Sequence, residues 1–173
     1  MESVKQIIRD IPDFPKKGIV FKDITPLLAD ASAFTKTINT LKERFSEKKV
    51  DRVVGVEARG FIFASALAYA LETGTTMVRK PGKLPYITFQ ETYSLEYGTD
   101  TIEIHQDAFQ PGERIVVIDD VLATGGTLAA TLNLIRKNFK SVEILEVAFL
   151  IELDFLRGRE KIKDAPIHAL IHF

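Results

Sequence analysis

No cysteine occurs in this chain, which excludes disulfide bridges and thiolate chemistry. No apolar run is long enough to span a bilayer and no basic-then-apolar leader follows Met1, so a soluble cytoplasmic protein is the expectation. An excess of either sign of charge is missing as well. The 23 Lys+Arg residues against 24 Asp+Glu leave a formal net charge of −1, which offers no general attraction to nucleic acid or anionic membranes. Histidine is scarce, and none of His105, His168 and His172 has metal-ligand spacing with a second histidine or a cysteine. His168 and His172 are four apart but fall in a strand-like tail, so all three are expected to be structural. The 173 residues suit one domain with a substantial core, and no repeat, linker or low-complexity tract divides them.

The most informative stretch runs from Ile115 to Thr127: Ile-Val-Val-Ile-Asp-Asp-Val-Leu-Ala-Thr-Gly-Gly-Thr. Its four leading apolar residues suit a strand buried on both faces of a parallel sheet. The strand is expected to end at Asp119 and Asp120, placing two carboxylates at the sheet edge where open parallel sheets bind ligands. Ala123 to Thr127 then form a small turn ahead of a helical pattern. Gly125 and Gly126 carry no Cβ, so backbone amides can approach an anion, and the helix start adds unpaired N–H groups and a positive dipole end. Thr124 and Thr127 add hydroxyl donors. Carboxylates directly before such a nest would repel the phosphate it binds, so they face hydroxyls or a metal ion on another part of the ligand. A sugar phosphate satisfies both halves. A plain turn would explain a lone Gly-Gly, and a P-loop metal strand would require a Gly-x-x-x-x-Gly-Lys-Ser/Thr loop that the chain lacks.

Around this stretch, strands and helices alternate. Val4, Ile7, Ile8 and Ile11 predict a short amphipathic helix stopped by Pro12 and Pro15, followed by an irregular segment. A helix is predicted over Ala31–Ser46, a strand over Arg52–Val56, a helix from Gly60 to about Leu71 and a strand over Thr75–Val78. Strand-like alternation resumes over Thr101–His105, with Ile102 and Ile104 on one face. After the Ile115 strand come a helix with Leu128, Leu132, Ile135 and Phe139 aligned, a strand over Val142–Ile151 and a weaker one near His168–Ile171. The pattern predicts an α/β fold with a mostly parallel, doubly wound sheet. Lys80 to Gly98 carries Pro, Gly and aromatic residues without a helical period, and its length and charge suggest an active-site lid.

Two further constellations carry chemistry. Glu57-Ala58-Arg59-Gly60 sits where a buried strand meets a helix, and an arginine there can grip a diphosphate with its planar donor fork. Arg79, Lys80 and Lys83 cluster on a stretch stiffened by Pro81 and Pro85.

The Ile115–Thr127 string resembles the signature of the type I phosphoribosyltransferases, which bind phosphoribosyl pyrophosphate (PRPP). Four other segments resemble adenine-using members of that family, in the same order: Lys17-Gly-Ile-Val-Phe-Lys-Asp-Ile-Thr-Pro26, Glu57-Ala-Arg-Gly-Phe61, Arg79-Lys-Pro-Gly-Lys-Leu-Pro85 and Tyr93-Ser-Leu-Glu-Tyr-Gly98. The likeness covers nearly the whole chain. It implies the type I phosphoribosyltransferase fold in a single domain over residues 1–173. An N-terminal hood over residues 1–30 would recognise the base, and a mobile catalytic loop would occupy residues 80–100. The implied reaction is adenine plus PRPP giving AMP and diphosphate, a purine-salvage step, with Mg²⁺ bound mainly through PRPP. A homodimer is implied too, and no nucleic-acid or membrane partner.

The resemblance also implies roles. Asp119 and Asp120 would hold the ribose hydroxyls, and Ala123, Thr124, Gly125, Gly126 and Thr127 the 5′-phosphate. Glu57, Ala58, Arg59, Arg79, Lys80 and Lys83 would surround the pyrophosphate, with a cis peptide expected between Glu57 and Ala58. Val20, Phe21, Lys22 and Arg59 would form the adenine site, Phe21 stacking on the purine and Leu122 walling the opposite side. Glu96, flanked by Tyr93 and Tyr97, would exchange a proton with a ring nitrogen once the lid desolvates it. Arg59, Asp119, Asp120 and Glu96 are thus the expected catalytic group. Two rivals share the PRPP half: a transferase for hypoxanthine, guanine, xanthine or orotate, and a non-catalytic PRPP-binding regulator, which would need a DNA-binding module or basic face that the chain does not offer.

Overall fold

The computed structural model describes residues 1–94 and 98–173 of the chain. Its centre is a five-stranded, wholly parallel sheet built from β3 (Arg52–Val56), β4 (Gly74–Val78), β7 (Arg114–Leu122), β8 (Glu143–Glu152) and β9 (Ile167–His172), in the order β4-β3-β7-β8-β9. Parallel pairing requires crossovers, and α4 (Gly60–Ala70) and α5 (Gly126–Asn138) supply two of them. The near-continuous apolar runs of β3, β7 and β8 follow from burial on both faces. Val53, Val116, Ile118, Ala148 and Leu150 join one core with α4, α3 (Ala31–Phe45), α2 (Thr25–Ala29) and α1 (Glu2–Lys5). Val54, Val117, Val147 and Phe149, one residue along each strand, join a second core with α5 and with β6 (Thr99–His105).

An antiparallel hairpin pairs β6 with β5 (Thr88–Ser94), from Thr88 opposite His105 to Ser94 opposite Thr99. Ile102 and Ile104 turn into the second core, as their alternation predicts. The segment from Lys80 to Gly98, devoid of a helical period, thus supplies the β5 arm of this hairpin. Arg79 is bridged in antiparallel fashion to Glu103, which ties the hairpin's root to the end of β4.

The N-terminal segment departs from the sequence pattern. The helix stops at Lys5, and Ile11, expected on its apolar stripe, lies instead in β1 (Arg9–Pro12), which pairs antiparallel with β2 (Val20–Asp23). Val4 and Ile8 still reach the core. One turn of helix contributes little by itself, so the pairing of Ile11 with Phe21 and Pro12 with Val20 decides the conformation. The corner after β2 is locked by Asp23, whose carboxylate accepts from the Thr25 amide (2.9 Å) and from Arg9 (2.6 Å). The Thr25 amide foremost, then Arg9, lower its pKa to about 2. The segment expected to be irregular therefore contains β2 and α2. At the other end of the chain, two short 3₁₀ turns, Asp154–Leu156 and Gly158–Lys161, connect β8 to β9.

Phe63 is fully buried in the first core and packs on Phe34 at 6.2 Å between ring centroids. Phe63→Ala should lower stability by about 3–5 kcal/mol, read as a reduced midpoint in urea unfolding with an unchanged slope.

Candidate active site

The carboxyl ends of β3 and β7 deliver the charged residues to one cleft. β7 runs on to Leu122, so Asp119 and Asp120 lie within the strand rather than terminating it. The continuation follows from β8, whose Ile151 and Glu152 pair with Val121 and Leu122. A cavity of 380 Å³ opens here, lined on the hood side by Ile19, Val20, Phe21 and Lys22 and on the sheet side by Glu57, Ala58, Arg59, Asp119, Asp120 and Val121. Its volume falls in the range of small-molecule sites. A smaller cavity of 90 Å³ adjoins it, lined by Ala123, Thr124, Gly125, Gly126 and Thr127, and Asp119 borders both. One face therefore presents a base-sized cleft and an anion cradle with a carboxylate between them.

The cradle is shaped by backbone conformation. Gly125 adopts φ 77°, and a Cβ there would stand 2.3 Å from the Gly158 carbonyl oxygen, so only glycine fits. The first bond of α5 runs from the Ala129 amide to the Gly125 carbonyl (2.9 Å), which leaves the amides ahead of it for an anion. Thr127 Oγ1 meets the Tyr93 hydroxyl at 3.0 Å, and that hydroxyl also donates to Asp100 (3.1 Å). The hairpin is thereby fastened over the cradle, a role for Tyr93 that its position beside Glu96 did not reveal. Glu96 itself lies outside the described residues.

Arg59 and Asp120 form the polar centre of the larger cavity, Nε to Oδ2 at 2.7 Å, and the guanidinium sits 5.0 Å from the centroid of the Phe21 ring. Phe14 packs edge-on to Phe21 at 5.2 Å, holding the hood ring in place. Gly60, the first residue of α4, has no room for a Cβ, which would come within 2.9 Å of Asp119 Oδ1. Burial first, and the neighbouring Asp120 carboxylate second, push the Asp119 carboxyl well above the usual carboxylate range. Burial raises Asp120 also, with Arg59 opposing.

Glu57 organises the other cations. Its carboxylate accepts from Lys83 Nζ (2.6 Å), Arg79 Nε (3.2 Å) and the Lys80 amide (2.8 Å). Burial alone would raise its pKa, but these donors outweigh burial and hold it below the ordinary value. The Lys80 ammonium is bound to Asp100. Of the three cations only Lys80 lines the larger cavity. The Glu57–Ala58 peptide is cis.

Two expectations for the base site change. Leu122 is fully buried in the second core and borders the smaller cavity, not the larger one; the apolar wall of the larger cavity includes Val121, Leu153 and Leu156. Successive strand residues face opposite ways, so the neighbour of Leu122 takes its place. Lys22 borders the cavity, but its ammonium is turned to Asp10 (2.7 Å) and to the Phe173 ring (3.9 Å), leaving its backbone as the portion available to a base. Leu153, Leu156 and Gly158 carried no sequence signal, because the turns that present them have no periodic pattern.

Residues 26–166 match the family model described as the phosphoribosyl transferase domain. At full length the chain is 60% identical over 173 residues to an adenine phosphoribosyltransferase of Syntrophotalea carbinolica and 57% identical to that of Geobacter metallireducens, covering 100% of both partners in each comparison. The chain belongs to the adenine phosphoribosyltransferases. Solved members of this family share its fold. The enzyme of Thermoanaerobacter pseudethanolicus superposes with a TM-score of 0.94 at 50% identity, covering 99% of each chain. That of Saccharomyces cerevisiae, solved with an imino-altritol bisphosphate and adenine, gives 0.89 at 41% identity, covering 96% of this chain and 95% of the other. The five-stranded parallel sheet between helices is that of the type I phosphoribosyltransferases.

The raised pKa of Asp119 has a stability consequence. Because the unliganded fold binds this proton more tightly than the unfolded chain does, the associated stability is complete at acid pH and is lost as pH rises through the raised value. Asp119→Asn removes the buried charge while keeping an oxygen for the Asp120 amide. Thermal unfolding should show the variant melting about 2–4 °C higher at pH 8, with the difference vanishing near pH 4.

Proposed function

We propose that the chain transfers a phosphoribosyl group from PRPP to adenine, giving AMP and diphosphate, the reaction for which its full-length relatives are named. The observation that supports the assignment of roles is that Asp119 borders both the anion cradle and the base-sized cleft, whose lining also includes Glu57, Arg59 and Lys80. A sugar phosphate laid along that line puts its 5′-phosphate on the amides of Gly126 and Thr127 and its ribose hydroxyls on the two aspartates. Its anomeric carbon then lies in front of the Phe21 and Arg59 pair.

The phosphate cradle lies away from the bond that breaks, so its binding energy serves to position the reacting carbon. As the bond to diphosphate lengthens, positive charge develops on the ribose ring and negative charge on the leaving group. The aspartates favour the first; Arg59, Arg79, Lys80 and Lys83 favour the second. Glu57 holds Arg79 and Lys83 in readiness. Adenine attacks from the face opposite the departing diphosphate, with inversion, and Glu96 on the catalytic loop of residues 80–100 exchanges its ring proton. The hood of residues 1–30 supplies Phe21 for stacking, and backbone groups of Val20 and Phe21 read the adenine edge, while the loop excludes water. The oxygen-only donors at the cleft, Asp119 and Asp120, suit Mg²⁺ carried in on PRPP, which ordinarily binds through one or two carboxylates and substrate phosphates. When bound it would neutralise charge on the diphosphate.

A homodimer fits the surface. Ile62 and Tyr69 on α4 and Met77 on β4, the edge strand, are exposed, and a groove of 290 Å³ at this edge is lined by Phe61, Met77 and Leu84. No helix among the described residues is long and apolar enough to cross a membrane.

Nucleotide formation from PRPP and Mg²⁺ should be strong with adenine and weak with hypoxanthine, guanine, xanthine and orotate supplied separately. Preferred turnover of another base would overturn the base-site reading, and PRPP binding without turnover of any base would point to a regulator. Replacing both carboxylates, Asp119→Asn with Asp120→Asn, should leave the fold intact and reduce kcat/KM by roughly 10²–10⁴, the scale expected for two lost hydrogen bonds to charged groups.

A further inference from the structure

The geometry points to a second metal site, for a borderline divalent transition-metal cation such as Zn²⁺, formed by Glu152, Asp154 and His172 where β8 and β9 end. The three side chains each offer a donor atom, and these atoms lie within 4.8 Å of one another. His172 Nδ1 stands 2.9 Å from Asp154 Oδ1 and 3.8 Å from Glu152 Oε2. Ligands at about 2.1 Å from a tetrahedral zinc are about 3.4 Å apart, so small side-chain adjustments convert this triangle into three corners of the tetrahedron.

An independent observation separates the cluster from an ordinary acidic surface. Glu152 is 4% exposed, and its Oε2, aimed at His172, has no hydrogen-bond partner. Buried carboxylate oxygens are costly when left unpaired. Its other oxygen accepts from Arg159 Nε at 2.6 Å, which fixes the orientation of the carboxylate. A proton on His172 Nδ1 serves Asp154 and remains too far from Glu152 Oε2 for a hydrogen bond. A dication at the centre of the triangle would meet all three atoms. The two carboxylates are balanced by the Arg159 guanidinium and by the Lys5 ammonium, which donates to the His172 carbonyl at 2.6 Å and leaves the three donor atoms themselves unopposed, and the imidazole nitrogen selects against Mg²⁺ and Ca²⁺, which prefer oxygen.

The backbone beneath these ligands is already ordered. Glu152 and His172 are register partners across the parallel pair β8 and β9. The Phe173 amide donates to the Glu152 carbonyl and the Asp154 amide to the Phe173 carbonyl, both at 3.0 Å. Leu153, between two of the ligands, lines the larger cavity with Leu156. A bound cation would thus clamp both strand ends to the segment that forms the apolar wall of the cleft. The inference rests on this ligand geometry and not on the proposed reaction.

The test is calorimetric titration of the full chain with ZnCl₂ in the absence of PRPP and adenine, with His172 followed by its imidazole NMR resonances. One equivalent should bind and shift those resonances. Affinity should fall by roughly a hundredfold in His172→Ala and in Asp154→Asn, and stay unchanged in His105→Ala, with millimolar Mg²⁺ failing to compete. Absence of saturable binding, equal affinity in His172→Ala, or displacement by Mg²⁺ would each overturn the site.

Discussion

The contact between Arg59 and Asp120 organises the rest of the molecule's chemistry. Asp120 is buried within a strand enclosed on both faces, where an isolated carboxylate would be expensive, and the guanidinium at the start of α4 is its compensation. The same guanidinium lies beside the Phe21 ring, so the hood is registered against the sheet through a cation held by an anion of the sheet itself. Gly60 permits the approach, since a larger residue would push α4 away from Asp119. Strand, helix and hood therefore share one electrostatic centre, and the cleft takes its shape from it.

Like charges are grouped in the cleft, each cation being held by a carboxylate. Asp119 and Asp120 occupy the sheet side, and the cations Arg79, Lys80 and Lys83 are gathered by Glu57 and Asp100 near the root of the hairpin. Each cation thus has a carboxylate that defines its position without full burial. Asp119, pushed up by burial and by its neighbour, is in the opposite condition: the donor its carboxylate has is the Asp120 amide, at 2.8 Å. Burying Asp119 beside Asp120 costs the fold stability, a cost common at functional sites.

Much of this was legible in the sequence. The β3, β7 and β8 strands, α3, α4 and α5 follow from patterns of burial that repeat over enough residues to be unambiguous, and the Asp-Asp and Thr-Gly-Gly-Thr stretch announces the turn from β7 into α5. The departures are short or non-local. One turn of N-terminal helix gives way to β1 because β2 is available to pair with it, and the wall of the cleft falls to Val121 rather than Leu122 because a single step along a strand reverses its facing.

The sequence by itself determined the parallel α/β architecture, the glycine turn ahead of α5 and the identity of the charged groups, since these depend on local periodicity and on backbone freedom at particular residues. Only the tertiary structure decided what surrounds them: that Val121, Leu153 and Leu156 wall the cleft, that Tyr93 fastens the hairpin to Thr127, that Gly158 backs the cradle at Gly125, and that Glu152 meets His172. Those partners are separated by tens of residues and joined by turns without a period. Their proximity is set by the register of parallel strands and by close packing, neither of which leaves a mark on neighbouring residues in the chain.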